Sequence, residues 1–192
     1  IHSLAETLSS IEIEEDGSFG AVSSDIRHLG SMPNHILSLG NRLVVTVSGE
    51  NSLLILDEGS LQITGRISLD RGRNPMESVH LGTVTDGAGA TPAQELLATT
   101  NFLSGTVVLS DLQERSWATS PPLEETVGKP DTTPPAPQAL LALPGRASKE
   151  IRLLVANTAF STDRDGPGPF GPGTLTLLTL HIDDATSPGE VL

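Results

Sequence analysis

Residues 96–112 read LLATTNFLSGTVVLSDL: two apolar runs, an Asn closing the first, a Gly before the second and an Asp near its end. Runs rich in Leu, Val and Thr, separated by Ser and Gly, are the pattern of two strands joined by a short turn. The outline returns from Leu43 as LVVTVSGENSLLILDEG and from Leu153 as LLVANTAFSTDRDGPGPFGPGTLTLLTLHIDD. A recurring outline with variable interiors predicts a fold made by copying one unit.

Working outward, each copy is preceded by Pro-x-x-x-(Leu/Val)-x-Leu: PNHILSL at Pro33, PMESVHL at Pro75 and PQALLAL at Pro137. Each is followed by a fourth apolar or β-prone segment where the chain allows it, LQITGRISL from Leu61 and SWATSPPL from Ser116. Four such strands joined in order make an antiparallel meander, the unit of a β-propeller blade. Ahead of the first Pro, SIEIEE and SFGAVSSDI flank an Asp16-Gly17 turn and read as the third and fourth strands of a further unit. The sequence therefore predicts an all-β partial propeller of about three to three and a half blades. Its parts are a half blade over 8–29, blades over 33–69 and 75–123, and an incomplete blade over 137–192. A small β-sandwich with coincidental repetition is the competing architecture. Because closure takes about 4 to 8 blades, the remaining blades are expected from a longer parent chain or a protein partner.

Composition narrows the function. Eleven Lys and Arg against twenty-four Asp and Glu give a net charge of −13, which repels phosphate backbones and anionic headgroups. Nucleic acid and membrane are thereby disfavoured as partners. Cysteine is absent, which removes disulfides, thiolate nucleophiles and Cys-ligated metals. Tyr is absent too, with one Trp and four Phe, so the core must be aliphatic. No G-x-S-x-G elbow, H-E-x-x-H pair or phosphate-binding Gly-Lys-Ser/Thr loop occurs. A periplasmic, secreted or cell-surface location is expected; a start at Ile1 rather than Met points to processing or to a piece cut from a longer chain.

At the quoted residues the sequence resembles the YVTN-repeat and lactonase-type β-propellers, whose blades run from a Pro through a strand such as LYVTN or LLVANY to a Gly-(Ser/Thr)-Val strand ending in Asp. LLATTNFLSGTVVLSDL and LLVANTAF…GTLTLLTLHID follow that pattern, and LVVTVSGENSLLILDEG follows it without the Asn. The resemblance implies a seven-bladed ring in its complete form, and a family that spans sugar-lactone hydrolases, a muconate-type cyclase and many surface or periplasmic proteins with no known reaction. The His and Arg set of the lactonase-like enzymes has no position-by-position match here.

In a meander, the loop from second to third strand and the link to the next unit emerge at one end. That end gathers the candidate ligand-binding residues His35, Arg71, Arg73, Asn101 and Asn157. His35 shares a register with Leu37 and Leu39, expected to face a central channel, and two guanidiniums nearby suit a carboxylate or phosphate. Asp163 and Asp165 before Gly166 form the start of a calcium-loop pattern, with no Glu to complete it. The leading expectation is a non-catalytic binding or scaffold module with no cofactor. A lactonase-like hydrolase or cyclase using His35, Arg71 and Arg73, and a calcium-stabilised surface module, are the alternatives.

Overall fold

Runs of Val, Leu, Ile and Thr broken by Gly, Asn and Asp become strands, and the computed structural model places thirteen of them among residues 1–69, 73–84, 94–112, 116–119, 136–144, 150–158 and 173–181, the residues it describes. They form four antiparallel sheets, each built from strands consecutive in sequence. The first is a hairpin, β1 (Thr7–Ile13) with β2 (Phe19–Arg27). The second pairs β3 (Pro33–Leu39), β4 (Arg42–Val47), β5 (Ser52–Asp57) and β6 (Ile63–Ser68) in that order. The third pairs β7 (Pro75–Val84), β8 (Gln94–Asn101), β9 (Thr106–Asp111) and β10 (Ser116–Thr119). The fourth holds β11 (Ala136–Leu143), β12 (Glu150–Thr158) and β13 (Thr174–His181). The chain is thus all-β, as expected. Among the described residues the nearest thing to a helix is a single 3-10 turn at Ser48–Glu50, and no helix is long and apolar enough to cross a membrane.

The middle strands are not half-buried. β5 is buried from Ser52 to Leu56 and β9 along its whole length. A strand points alternate side chains to opposite faces, so burial at every position requires cover on both. The cores supply it. Val45, Val47, Leu54 and Leu56 pack backward on Leu8 and Leu29, while Val44, Leu53 and Ile55 pack forward on Leu97 and Val108 of the third sheet. From the third sheet, Ala98, Val107 and Leu109 pack forward on Leu140, Leu153, Val155 and Leu180 of the fourth. Each sheet therefore lies face to face against the next. A fully buried Leu such as Leu53 or Leu97 contributes about 1.5–3 kcal/mol relative to exposure.

The units superimpose in their details. A residue with positive φ precedes the third strand in three of the four sheets: Glu6 before β1, Asn51 before β5 and Gly105 before β9. In the first two, the fully buried Leu that ends the unit returns to it, Leu29 N–H donating to Glu6 O and Leu69 N–H to Asn51 O. The β1–β2 hairpin is therefore the counterpart of β5–β6.

Candidate functional site

Every first strand starts at or beside an anchor proline, and every one is bulged directly after it. The register shifts fall between Pro33 and His35, Pro75 and Ser78, and Pro137 and Ala139. Proline lacks an N–H for the ladder, so an irregularity at this end of the strand costs little. Across the ladder the three prolines face Val47, Asn101 and Asn157. The asparagine of the repeated pattern is thus the residue opposite the proline. The position two beyond each proline holds His35, Glu77 and Ala139.

Those positions form a polar row across three sheets. His35 Nε2 lies 3.8 Å from Glu77 Oε1, with both side chains about a third exposed. His35 Nδ1 accepts from Ser78 N–H at 3.5 Å, which leaves the ring proton of the neutral form on Nε2, facing Glu77. Glu77 Oε2 accepts from Leu140 N–H at 3.0 Å. Where the fourth sheet has Ala139 in place of a polar side chain, the carboxylate takes a backbone donor instead. Nδ1 takes the Ser78 amide and Nε2 faces the Glu77 carboxylate, so the ring links the second and third sheets.

Beneath this row runs a buried seam of hydroxyls. Ser78 Oγ lies 3.2 Å from Thr46 Oγ1 and 2.8 Å from Thr99 Oγ1, so each polar atom has a partner away from water. Ser48 Oγ donates to Pro75 O and accepts from Asn34 Nδ2, whose amide also reaches Met76 Sδ at 3.4 Å. At the far end of the same strands, Arg42 bridges to Glu95 at 3.1 Å. The second and third sheets are tied at both ends.

Loops and links meet at the proline end. In the second sheet, Ser48 N–H and Gly49 N–H donate to Met32 O and Ser31 O; in the third, Phe102 N–H and Leu103 N–H donate to Asn74 O and Arg73 O. Met32 and Asn74, the residues before the prolines, both have positive φ. A side chain completes each dock: Glu50 Oε1 accepts from Ser31 N–H at 3.2 Å and Ser104 Oγ from Arg73 N–H at 3.2 Å. Arg66 pairs with Glu50, and that hydrogen bond holds the Glu50 carboxyl below its ordinary value, with the Ser31 amide adding to the effect. Contact is tight enough that a Cβ on Gly49 would stand 2.7 Å from Ser31 Cβ.

The predicted site residues that the structure describes meet different partners. His35 is half-buried and meets Glu77 and Ser78. Leu37 and Leu39 from its register pack into the core between the second and third sheets, not toward a channel, because they continue the face that meets Leu97 and Val108. Arg73 is exposed and held through its main chain, while Arg71 lies outside the described residues. Asn101 and Asn157 are 0% and 4% exposed, so neither offers an open ligand contact. Asn101 Nδ2 donates to Thr99 O, and Asn157 Nδ2 reaches Thr174 and Thr176, but both Oδ1 atoms are buried without a partner. Asp163 and Asp165 lie outside the described residues, among which no group of three acidic or His side chains could hold a metal ion. Glu77 is the residue that sequence reasoning missed. Its signal was its place two beyond Pro75, the place His35 takes after Pro33.

No family model and no curated protein matches the sequence, so a functional assignment rests on this geometry.

Proposed function

We propose that the chain is a section of a β-propeller and acts outside the cytoplasm as a non-catalytic binding or scaffold module, presenting the loops and links of the proline end. The observation that carries this reading is the use of His35 and Glu77 as inter-sheet struts: among the described residues, the one His–carboxylate pair at that end accepts the Ser78 and Leu140 amides. A hairpin and three meander sheets, consecutive in sequence and packed face to face, support the propeller part of it. The acidic surface favours a protein or small-ligand partner over a polyanion.

The test is a pH-stat assay on a panel of sugar and aliphatic lactones, with wild type and His35→Ala side by side. The expected result is no acid release above the buffer blank in either. Turnover that His35→Ala abolishes, with the fold intact by circular dichroism, would replace this reading with a lactonase-like hydrolase.

A further inference from the structure

The forward faces of the second, third and fourth sheets are built at equivalent register positions, and among the described residues two of the three are covered. Val47, Asn101 and Asn157, each opposite its proline, fix the alignment of the second strands; Ser52, Thr106 and Thr174, paired with them, fix that of the third. Leu53, Val107 and Leu175 are then one position, and Ile55, Leu109 and Leu177 another. Leu53 and Val107 are 0% and 2% exposed beneath the following sheet, whereas Leu175 is 69% exposed. Ile55 and Leu109 are 5% and 8% exposed, whereas Leu177 is 49% exposed. Leu154, paired with both Leu177 and Leu141, lies between them, and Leu141 is exposed as well. The fourth sheet ends in the same apolar surface that its predecessors bury.

The opposite end of the stack carries the matching surface. On β1, Leu8 packs on the second sheet, so Ile11 and Ile13, of opposite parity, point away from it. Their cross-strand partners are Val22 and Phe19, and all four side chains are at least half exposed. As β1 is the counterpart of β5 and β9, Ile11 and Ile13 occupy the backward-facing side of a third strand. That is the side on which Val108 of β9 meets the second sheet.

We infer that these two faces bind each other between copies of this chain, the outer face of β11–β13 in one copy receiving the outer face of the β1–β2 hairpin of the next. The inference rests on the repeat reading of the chain and goes beyond it by naming the partner and both surfaces. A sheet-to-sheet step already made three times within the chain is made once more across two molecules. The contact is head-to-tail, so it closes a ring when the rotation allows and otherwise extends as a filament. Net charge of the same sign on each copy opposes association, so added salt should strengthen it.

Sedimentation equilibrium of the full chain over a wide concentration range tests this. Wild type is expected to self-associate, more tightly at high salt. Leu177→Glu and Phe19→Lys should each weaken association at least about thirtyfold. Mixed in equal amounts, those two variants should form a one-to-one pair and nothing larger, since each keeps the face that the other has lost. Phe19 is so exposed that its substitution leaves the fold untouched even where Leu177→Glu disturbs it. Wild type that stays monomeric throughout, or variants that do not pair on mixing, overturns the inference. Either failure leaves the non-catalytic reading standing, because the lactone assay decides that separately.

Discussion

The second and third sheets are two castings of one unit, and their differences separate what the fold requires from what it tolerates. Both have a positive-φ residue before the proline, a bulge after it, and a loop that docks by two backbone hydrogen bonds on the preceding link. Within that frame the fillings diverge: Val47 against Asn101, His35 against Glu77, Gly49 against Leu103, Glu50 against Ser104. Backbone geometry is what repeats. Side chains are free to change wherever the neighbouring sheet supplies a different complement.

The first way to break the comparison is to remove equal parts from both castings. Leu53→Ala and Val107→Ala occupy one register position under equivalent cover, so urea unfolding should show losses of about 3 and 2 kcal/mol respectively. A large loss at one and none at the other would mean that the two inter-sheet cores are not equivalent. The position opposite the proline gives a sharper test. Val47→Asn buries an amide in an apolar cluster and should cost about 2–3 kcal/mol. The reverse change, Asn101→Val, removes a buried carbonyl oxygen that has no partner, together with one bond to Thr99 O. Its expected effect is a gain of about 0.5–1 kcal/mol, read in the same assay.

Loop contacts come next in size. Gly49→Ala drives a Cβ against Ser31 Cβ, Oγ and backbone oxygen, and should lose about 1–2 kcal/mol. Leu103, its counterpart in the third sheet, is 66% exposed, and Leu103→Ala should stay within about 0.5 kcal/mol of wild type. Equal effects at the two sites would show that the shared backbone bonds, not the local approach, set the cost.

Much of this frame was readable before any coordinates, and the reason is local. Pro33, Pro75 and Pro137 mark strand starts because of what proline does to its own backbone, and the Asp16-Gly17 turn announces a hairpin in the same way. What stayed hidden depends on neighbours far along the chain. Leu37 and Leu39 look like one face of a strand, but which space that face meets is decided by Leu97 and Val108, more than fifty residues away in the sequence. Asn101 and Asn157 read as polar residues at a loop, whereas cover from adjacent sheets buries them. Glu77 escaped for the same reason: it shares the parity of Val79 and Leu81, which face the fourth sheet, but the Leu140 amide that it meets there lies 63 residues further along the chain.

The smallest expected effect separates an ionisable dock from a neutral one. Glu50 and Ser104 do the same job, each accepting from the backbone amide two residues before a proline, but only Glu50 can titrate. The Arg66 hydrogen bond, and then the Ser31 amide, lower its pKa in the folded chain relative to the unfolded one. A group whose folded value is depressed contributes its stability above the ordinary carboxyl value, and loses it as pH falls toward the folded value. Asp57, through its Ser60 backbone and side-chain bonds, and Asp16, through Ser18, are shifted the same way and lose their contributions further into acid, below the ordinary Asp value. Glu50→Gln should therefore cost less than about 1 kcal/mol at neutral pH, since Glu50 and Arg66 are both partly exposed to screening solvent. It should also make the acid limb of stability shallower without removing it. Ser104→Ala should shift the whole curve down and leave its slope alone. If Ser104→Ala flattens the acid limb as Glu50→Gln does, the charge at Glu50 is not what couples that dock to pH.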